Sequence, residues 1–363
     1  MKGIVFLGQR KLEIQEFEDP IPGQNDVILE IKASGMCGSD LNVYRASEWP
    51  SSLLLGGDDK QVIAGHEPCG KIVELGKNVD KENFTKGMNV MQHHYKGCGS
   101  CVHCSTGWQQ LCVDGVKEVF GVTGHGAHAK YMKCPANTLV KLREDISFKS
   151  GAAISCGTGT AWGAIDRLSL RSYETLAVFG LGPVGLSAVM IASSMGVNVI
   201  ALDTNQKRLN RAKSFGARDI LNPLKSDNVV DAIKDLTKGL GAHASIDASS
   251  SPEARSQSIK CLRTWGKACF VGEGGNVNLD VSNDLLRKQI TLIGSWTFSK
   301  HGQYACAEYI ADKKLKVDEL FTHEWKLGQA KEAYELFDLS LIHISEPTRQ
   351  EAISYAGFCL KKK

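Results

Sequence analysis

The sequence of 363 residues lacks the features that mark several classes of protein. No apolar run approaches the ~20 residues that span a bilayer, and the apolar stretch near the amino terminus breaks too soon to be a signal-peptide core. A strong charge of either sign is also missing, because 43 lysines and arginines face 40 aspartates and glutamates. A binder of nucleic acid or of a membrane surface would show a basic patch. We therefore expect a cytoplasmic protein with neither kind of partner.

The composition indicates a globular protein with chemistry at its cysteines. Charged residues make up 23% of the chain and apolar residues 42%, which excludes wholesale disorder. At roughly 100–200 residues per domain, the length predicts two domains. Twelve cysteines are too few for a disulfide scaffold of this size. Without an export signal, they point to metal or redox chemistry.

Four cysteines crowd into fifteen residues, at Cys98, Cys101, Cys104 and Cys112. Two-residue gaps let neighbouring thiolates turn back onto one ion, and Gly97 and Gly99 supply a flexible backbone. Four thiolates close the tetrahedral shell of zinc, which predicts a structural site. Disulfides and an iron–sulfur cluster are the alternatives, although the spacing lacks the Cys-Pro end of the bacterial cluster motif.

A second set of potential ligands is scattered: Cys37-Gly-Ser-Asp40, Gly65-His66-Glu67, and Cys156. Each residue by itself is weak, since a single buried cysteine is usually a small hydrophobe. From Gly65, however, the order Gly-His-Glu, Gly70, Gly76, Val79 resembles the zinc signature of the medium-chain zinc-dependent alcohol dehydrogenases. The Cys37 segment before this signature, and the four-cysteine cluster and Cys156 after it, also fall in that family's order, and the resemblance covers about residues 1–339.

The resemblance implies a catalytic zinc bound by Cys37, His66 and Cys156. It also implies that Glu67 lies beside the metal as an alternative ligand, and that Asp40 orients the ligating histidine. Two thiolates, one imidazole and one open position fit a catalytic zinc shell, in which the metal acts as a Lewis acid.

The position of Ser39 is interpreted as the first group of a proton relay. In many relatives a histidine three residues later ends that relay, whereas this chain has Asn42, which is no base at neutral pH. The last step must then use water, cofactor hydroxyls or another residue. By its distance from Cys98, His94 falls near the substrate pocket, although His93 and His94 are equally plausible as surface histidines.

From about Ser172 the pattern changes to alternating strands and helices, which predicts a doubly wound parallel sheet. A helix is expected over Gln206–Phe215, with Gly216 as its cap. The predicted strands are Thr175–Phe179, Val197–Leu202, Arg218–Leu221, His243–Ile246, Ala268–Gly272 and Gln289–Ile293. In the amino-terminal half, strands are expected at Val27–Ala33 and Gln61–Ala64.

The first strand of this sheet ends in a glycine-rich turn that opens an apolar helix over 184–195. That context favours a dinucleotide site, in which the helix amino terminus meets the phosphates. The turn consists of Gly180, Leu181, Gly182, Pro183, Val184 and Gly185.

A carboxylate after the second strand, Asp203, can accept hydrogen bonds from the adenosine ribose and repel a 2′-phosphate. This favours NAD over NADP, although the cations Lys207 and Arg208 lie close by in sequence. The resemblance implies that Arg208 helps to hold the ribose, that Thr160 lies near the nicotinamide, and that Val271 and Gly272 line the nicotinamide site.

The end of the chain departs from the family pattern. After a helix at Gly328–Asp338 the resemblance implies a glycine turn and a final strand. Instead, residues from about Ser340 resemble the translation of a synthetic adapter used in DNA sequencing libraries, so we expect them to be non-native. A divergent natural tail is the alternative, and Ser340–Ile344 could substitute for the missing strand.

Together these features predict an α/β protein. A GroES-like, mostly β catalytic domain is expected at 1–157 and 298–339, a Rossmann domain at 158–297, and a non-native tail at 340–363. The expected activity is alcohol–carbonyl interconversion by hydride transfer with NAD, using two zinc ions per chain in a homodimer or homotetramer. A polyol, amino-alcohol or formaldehyde dehydrogenase, or a non-catalytic zinc- and NAD(H)-binding sensor, remain alternatives. The run Pro50–Lys60 is a candidate lid.

Overall fold

A computed structural model describes residues 1–47, 61–342 and 358–361. These residues form two compact units. The first contains Met1–Cys156, Ser299–Ile342 and a carboxy-terminal strand, and the second contains Gly157–Phe298. The candidate lid Pro50–Lys60 lies outside the described residues. Within the described ranges, no helix is both long and apolar enough to cross a membrane.

The amino-terminal part of the first unit is mostly β-structure. Its longest strand, Asp26–Met36, is buried along most of its length and lies at the centre of the main sheet. Its elements are β1 (Lys2–Gly8), β2 (Lys11–Glu16), β3 (Asp26–Met36), α1 (Asp40–Arg45), β4 (Glu67–Leu75), β5 (Asn89–Gln92), β6 (Tyr95–Lys96), α2 (Val102–Ser105), β7 (Glu118–Val119), β8 (Tyr131–Pro135), β9 (Leu139–Lys141) and α3 (Phe148–Ile154).

The second unit alternates helices with parallel strands. Its first strand is buried at every residue, as expected for a strand covered on both faces. The elements are α4 (Gly157–Leu168), β10 (Thr175–Phe179), α5 (Pro183–Ser194), β11 (Asn198–Leu202), α6 (Gln206–Ser214), β12 (Asp219–Leu221), α7 (Val229–Leu236), β13 (Ala242–Asp247), α8 (Pro252–Lys260), β14 (Leu262–Phe270) and β15 (Thr291–Gly294).

The six strands of the second unit pair in the order β12-β11-β10-β13-β14-β15, all in parallel. The order reverses between β10 and β13, which is where a doubly wound sheet binds a nucleotide. Side-chain caps begin some of the helices: Asn205 accepts two backbone N–H bonds at the start of α6, and Ser251 accepts one at the start of α8. The α/β class with a Rossmann-like parallel sheet is confirmed.

The chain then returns to the first unit through α9 (Lys300–Asp312), β16 (His323–Trp325), α10 (Ala330–Ile342) and β17 (Phe358–Lys361). Among the described residues, the main sheet has the order β16-β17-β3-β4-β5-β9, and β8 also pairs with β3. β17 pairs with β3 in antiparallel fashion and with β16 in parallel.

The structure differs from the sequence predictions at two places in this unit. Gln61–Ala64 is not a strand. The N–H of Ala64 donates to the carbonyl of Ile4 and its carbonyl accepts the N–H of His128, so these groups bond to two different segments. Within Ser340–Ile344, which could substitute for the final strand, Ser340–Ile342 instead continue α10, and residues 343–344 lie outside the described residues. The backbone of β17 occupies that strand position instead.

Candidate functional site

Four side chains that are distant in sequence meet in the first unit. The ligand atoms of Cys37, His66, Glu67 and Cys156 all lie within 4.8 Å of one another. The two sulfur atoms are 3.8 Å apart, too far for a disulfide. Tetrahedral zinc with Zn–S distances of about 2.3 Å places its sulfur ligands roughly 3.8 Å apart. The donor set and its spacing therefore fit a zinc ion.

Strand register brings these ligands together. β3 and β4 pair so that Gly35 lies opposite Glu67, and Cys37 and His66 therefore lie at neighbouring strand ends. Cys156 follows α3, which contacts both strands. Its preceding residue, Ser155, donates hydrogen bonds to the carbonyls of Pro68 and Gly151, which ties the end of α3 to β4.

Asp40 orients the histidine ligand. His66 Nδ1 lies 2.8 Å from Asp40 Oδ1, an ion-pair contact that leaves Nε2 for a metal. The other oxygen of Asp40 accepts the N–H of Cys37 at 2.8 Å. Burial disfavours both charges, but the pairing prevails: it raises the pKa of His66 well above its usual value and lowers that of Asp40.

The acidic groups of the cluster compete for negative charge. A hydrogen bond with Cys156 lowers the pKa of Cys37 well below its usual value, and the same bond raises the pKa of Cys156 well above its own. Burial, helped by the charge of Cys37, raises the pKa of Glu67 well above the usual range. Three such groups can all ionise in a buried pocket only beside a cation, which again fits a metal.

Glycine at position 35 makes room for Glu67, a role that the sequence analysis did not detect. A Cβ atom at this position would lie 1.7 Å from Glu67 Oε2 and 3.0 Å from Glu67 Cβ. A glycine within a strand is only a weak signal of such close packing.

Ser39 lies beside the metal-facing nitrogen, with its Oγ 3.2 Å from His66 Nε2. Asn42, at the position where the resemblance led us to expect a relay histidine, is exposed. His93 and His94 are both buried, so the surface interpretation is wrong. The ring of His94 is 5.2 Å from that of His66, and burial lowers the pKa of His94 well below its usual value.

The four clustered cysteines also converge. The ligand atoms of Cys98, Cys101, Cys104 and Cys112 lie within 4.8 Å of one another. Two sulfur pairs are 4.0 and 3.9 Å apart, close to tetrahedral zinc spacing and too far for disulfides. A Cβ atom at Gly97 would lie 2.4 Å from Cys104 Sγ, so a glycine is needed there.

In the second unit, the glycine-rich turn has the geometry of a phosphate-binding loop. Gly180 has a φ of +88°, and Gly182 precedes α5, which begins at Pro183. A Cβ atom at Gly185 would lie 1.9 Å from the carbonyl oxygen of Gly180, so only glycine lets the helix approach the strand. Val184 lies in the first turn of the helix.

Asp203, which follows β11, stabilises this turn through hydrogen bonds to its carboxylate. One carboxylate oxygen accepts the N–H of Leu181 at 2.8 Å, and the other accepts the N–H of Asn205 at 2.8 Å. Arg208 lies 3.6 Å from the same carboxylate, and both side chains are nearly buried.

The remaining predicted nucleotide residues also lie in the second unit. Thr160 is buried in α4, and the N–H groups of Val271 and Gly272 both donate to the carbonyl of Asp247 at 2.9 Å. Sequence analysis missed Arg255, which bonds to the Asp247 carboxylate and to the carbonyls of Gly272 and Gly274. No local motif indicates this set of hydrogen bonds, because it joins residues from β13, α8 and the segment after β14.

Comparison with known proteins agrees with this architecture. The family model for the alcohol dehydrogenase GroES-like domain matches residues 23–144, and that for zinc-binding dehydrogenases matches residues 183–312. The uncharacterized zinc-type alcohol dehydrogenase-like protein YphC of Escherichia coli is 35% identical over 335 residues, 91% of this chain and 93% of that protein.

Two further similarities extend the comparison. The L-threonine 3-dehydrogenase of Pyrococcus furiosus is 29% identical over 330 residues, 89% of this chain and 91% of the relative. The structure of alcohol dehydrogenase TADH from Thermus sp. ATN1 has a TM-score of 0.86 at 24% identity and covers 99% of both chains. The chain therefore belongs to the zinc-dependent medium-chain alcohol dehydrogenase family, the enzymes that oxidise and reduce alcohol and carbonyl groups with a nicotinamide nucleotide.

Proposed function

We propose that the first unit binds both zinc ions of each chain, one at the Cys37, His66, Glu67 and Cys156 cluster for catalysis and one at the four-cysteine cluster for stability. The observation that carries the catalytic assignment is the 3.2 Å approach of Ser39 Oγ to His66 Nε2. Cys37, His66 and Cys156 leave a fourth position of a tetrahedral shell beside Ser39, whereas the four-cysteine shell is already complete.

When bound, the zinc supplies Lewis-acid stabilisation of charge on the substrate oxygen, and the nucleotide supplies the hydride acceptor. Ser39 accepts the proton of the substrate hydroxyl at Oγ and releases its own. Because Asn42 cannot act as a base, and Ser39 is half-buried beside the exposed Gly38, we assign the next step to water. Asp40 holds His66 in the tautomer that leaves Nε2 unprotonated.

We propose NAD as the preferred nucleotide. The carboxylate of Asp203 is held at the end of β11 by backbone N–H groups, so it cannot easily turn away from a 2′-phosphate. Arg208 is paired with that carboxylate at 3.6 Å, which supports a role in fixing Asp203 and the ribose. Thr160, Val271 and Gly272 are assigned to the nicotinamide end by family resemblance.

Substitution of the cluster tests the catalytic assignment. In Cys37→Ala and His66→Ala, alcohol-dependent NAD reduction should be abolished, and the zinc content should fall from two ions per chain to one. Cys261→Ala, which changes a buried cysteine of the second unit, should keep both ions and the activity. Normal turnover in either cluster variant, measured by NADH absorbance, would refute the metal assignment.

The substrate is proposed as a small alcohol or its carbonyl product, with polyols, amino alcohols and formaldehyde as alternatives. An absorbance screen over these classes with NAD and NADP distinguishes them.

We also propose a cytoplasmic homodimer or homotetramer built partly on β15, because this strand pairs only with β14 among the described residues and Leu292 is 41% exposed. Light scattering on purified protein measures the oligomeric state.

A further inference from the structure

The hydrogen bonding around the histidine ligand continues beyond Asp40 into the core of the first unit. Tyr334 donates its hydroxyl proton to Asp40 Oδ2 at 3.3 Å. The same hydroxyl oxygen is 2.7 Å from His128 Nε2, and His128 Nδ1 is 2.8 Å from Ser34 Oγ. These three hydrogen bonds and the 2.8 Å contact between His66 and Asp40 form a continuous row, which we call the Asp40 network.

The proton positions in this network follow from donor and acceptor chemistry. Since the Tyr334 hydroxyl donates its only proton to Asp40, its oxygen must accept the hydrogen bond from His128 Nε2–H. Burial lowers the pKa of His128 to about 4, so the ring is neutral and its Nδ1 accepts from the Ser34 hydroxyl. Every bond therefore donates towards Asp40, and the carboxylate is the common acceptor.

The network is enclosed by protein. Tyr334 and His128 are 0% exposed, Ser34 is 1% exposed and Asp40 is 3% exposed. In such surroundings, an unbonded hydroxyl or imidazole would be destabilising, so each of these polar groups needs its partner. The members come from β3, α1, α10 and the segment before β8, so the network joins elements that are far apart in sequence.

We propose that Tyr334 and His128 are positioning residues of the catalytic centre. By supplying a directed donor to Asp40 Oδ2, Tyr334 holds the plane of the carboxylate whose other oxygen binds His66. His128 holds Tyr334 in turn and keeps its proton pointed at Asp40. Neither residue reaches a metal ligand directly, and both act on zinc binding through Asp40.

This proposal rests on the catalytic zinc proposed above and is tested by metal affinity. Tyr334→Phe removes one donor to Asp40 and keeps the ring. Loss of a group that orients a metal ligand typically weakens binding by 10–100-fold, so we expect about tenfold at the catalytic site. His128→Phe should weaken zinc binding less, because Tyr334 can still donate. Tyr304→Phe, at a half-exposed tyrosine of α9, is the matched control and should change nothing.

Equilibrium competition between zinc-loaded protein and a chromophoric chelator gives the affinity of each site. The four-cysteine site is an internal control for folding, since its affinity should be the same in every variant. Catalytic-site affinities of Tyr334→Phe and His128→Phe that both equal that of the unsubstituted protein would overturn the proposal. So would an equal weakening at both sites, because that result indicates general destabilisation.

A double-mutant cycle separates action through Asp40 from an unrelated structural effect. If Tyr334 acts through that carboxylate, Tyr334→Phe should have little further effect on zinc affinity in an Asp40→Ala background. Additive losses would contradict the proposed route. An unsubstituted protein that holds zinc only at its four-cysteine site would refute the proposed catalytic zinc, whereas two bound ions with unchanged variants would refute only the positioning role.

Discussion

At the scale of single residues, the geometry of the cluster proposed to bind the catalytic zinc depends on groups outside its four donors. Glu67 can approach Cys37 and Cys156 because Gly35, its partner across the β3–β4 pair, has no side chain. Asp40 decides which nitrogen of His66 faces the other ligands. A list of metal-binding residue types therefore describes the donors and omits what orients them.

The substitution Gly35→Ala tests the role of this glycine. The new methyl group would overlap the Glu67 carboxylate, so Glu67 must move within a buried cluster. Overpacking of this kind usually costs about 1–3 kcal/mol in the free energy of unfolding. Gly38→Ala is the matched control, because its Cβ would meet nothing within 4 Å. Equal urea unfolding curves for the two variants would contradict this packing argument.

At the scale of elements, Arg255 of α8 links the end of β13 to the segment after β14 in the second unit. The Arg255 Nε is 2.9 Å from Asp247 Oδ2, and both side chains are nearly buried. The remaining guanidinium nitrogens hold the carbonyls of Gly272 and Gly274. Asp247 also binds the N–H and hydroxyl of Ser249, beside which Gly180 of the glycine-rich turn packs.

Replacement of the Arg255 guanidinium by an apolar group tests this link. Arg255→Met would leave the Asp247 carboxylate buried without its cation, and should lower the free energy of unfolding by about 3 kcal/mol. Nucleotide binding should weaken, as measured by NADH fluorescence titration. Arg218→Met removes an exposed ion pair with Asp219 and should cost less than about 1 kcal/mol. Similar losses in both variants would argue against a special role for Arg255.

The carboxy-terminal strand provides a second test at this scale. β17 inserts its backbone between β3 and β16, so deletion of residues 343–363 should leave both strands with unpaired edges. With about 1 kcal/mol for each net hydrogen bond, we expect a loss of about 3 kcal/mol in urea unfolding. An unchanged unfolding midpoint would show that β17 contributes no stability. That the residues from about Ser340 are non-native stays a prediction, which the genomic DNA at this locus tests.

At the scale of the whole molecule, a buried neutral histidine should make stability depend on pH. Burial lowers the pKa of His128 to about 4, with His66 adding to this shift and Asp40 opposing it. An unfolded histidine titrates near 6.5, so between these values the unfolded state binds more protons. The contribution of neutral His128 to the free energy of unfolding is therefore fully present above pH 6.5 and is lost as the pH falls towards 4.

Comparison with a non-titrating side chain isolates this effect. Between pH 7 and pH 5, the unsubstituted protein should lose about 2 kcal/mol more than His128→Gln in urea unfolding. Because each protein is compared with itself at two pH values, the cost of the substitution itself cancels. Parallel losses in the two proteins would mean that His128 titrates normally in the folded state.

Much of the fold was predictable because its signals are local. The strand at Thr175–Phe179 matches its predicted bounds, since a fully apolar run between turn residues indicates a strand buried on both faces. The α6 helix ends at Ser214, one residue short of its predicted end, just before Gly216 with a φ of +102°. The strand predicted at Gln61–Ala64 was wrong because a short apolar run does not show whether a pairing partner exists.

The sequence by itself supplied the local signals, namely the four-cysteine spacing and the glycine-rich turn before α5, whereas Cys37, His66 and Cys156 were assigned by family resemblance. Such patterns are readable because ligands and turns depend on residue type over short distances. The tertiary structure decided which side chains support that chemistry. Tyr334 and Asp40 are 294 residues apart, and Arg255 of α8 donates to the carbonyl of Gly274 in the segment after β14. These contacts depend on strand register and helix packing, which no local pattern records.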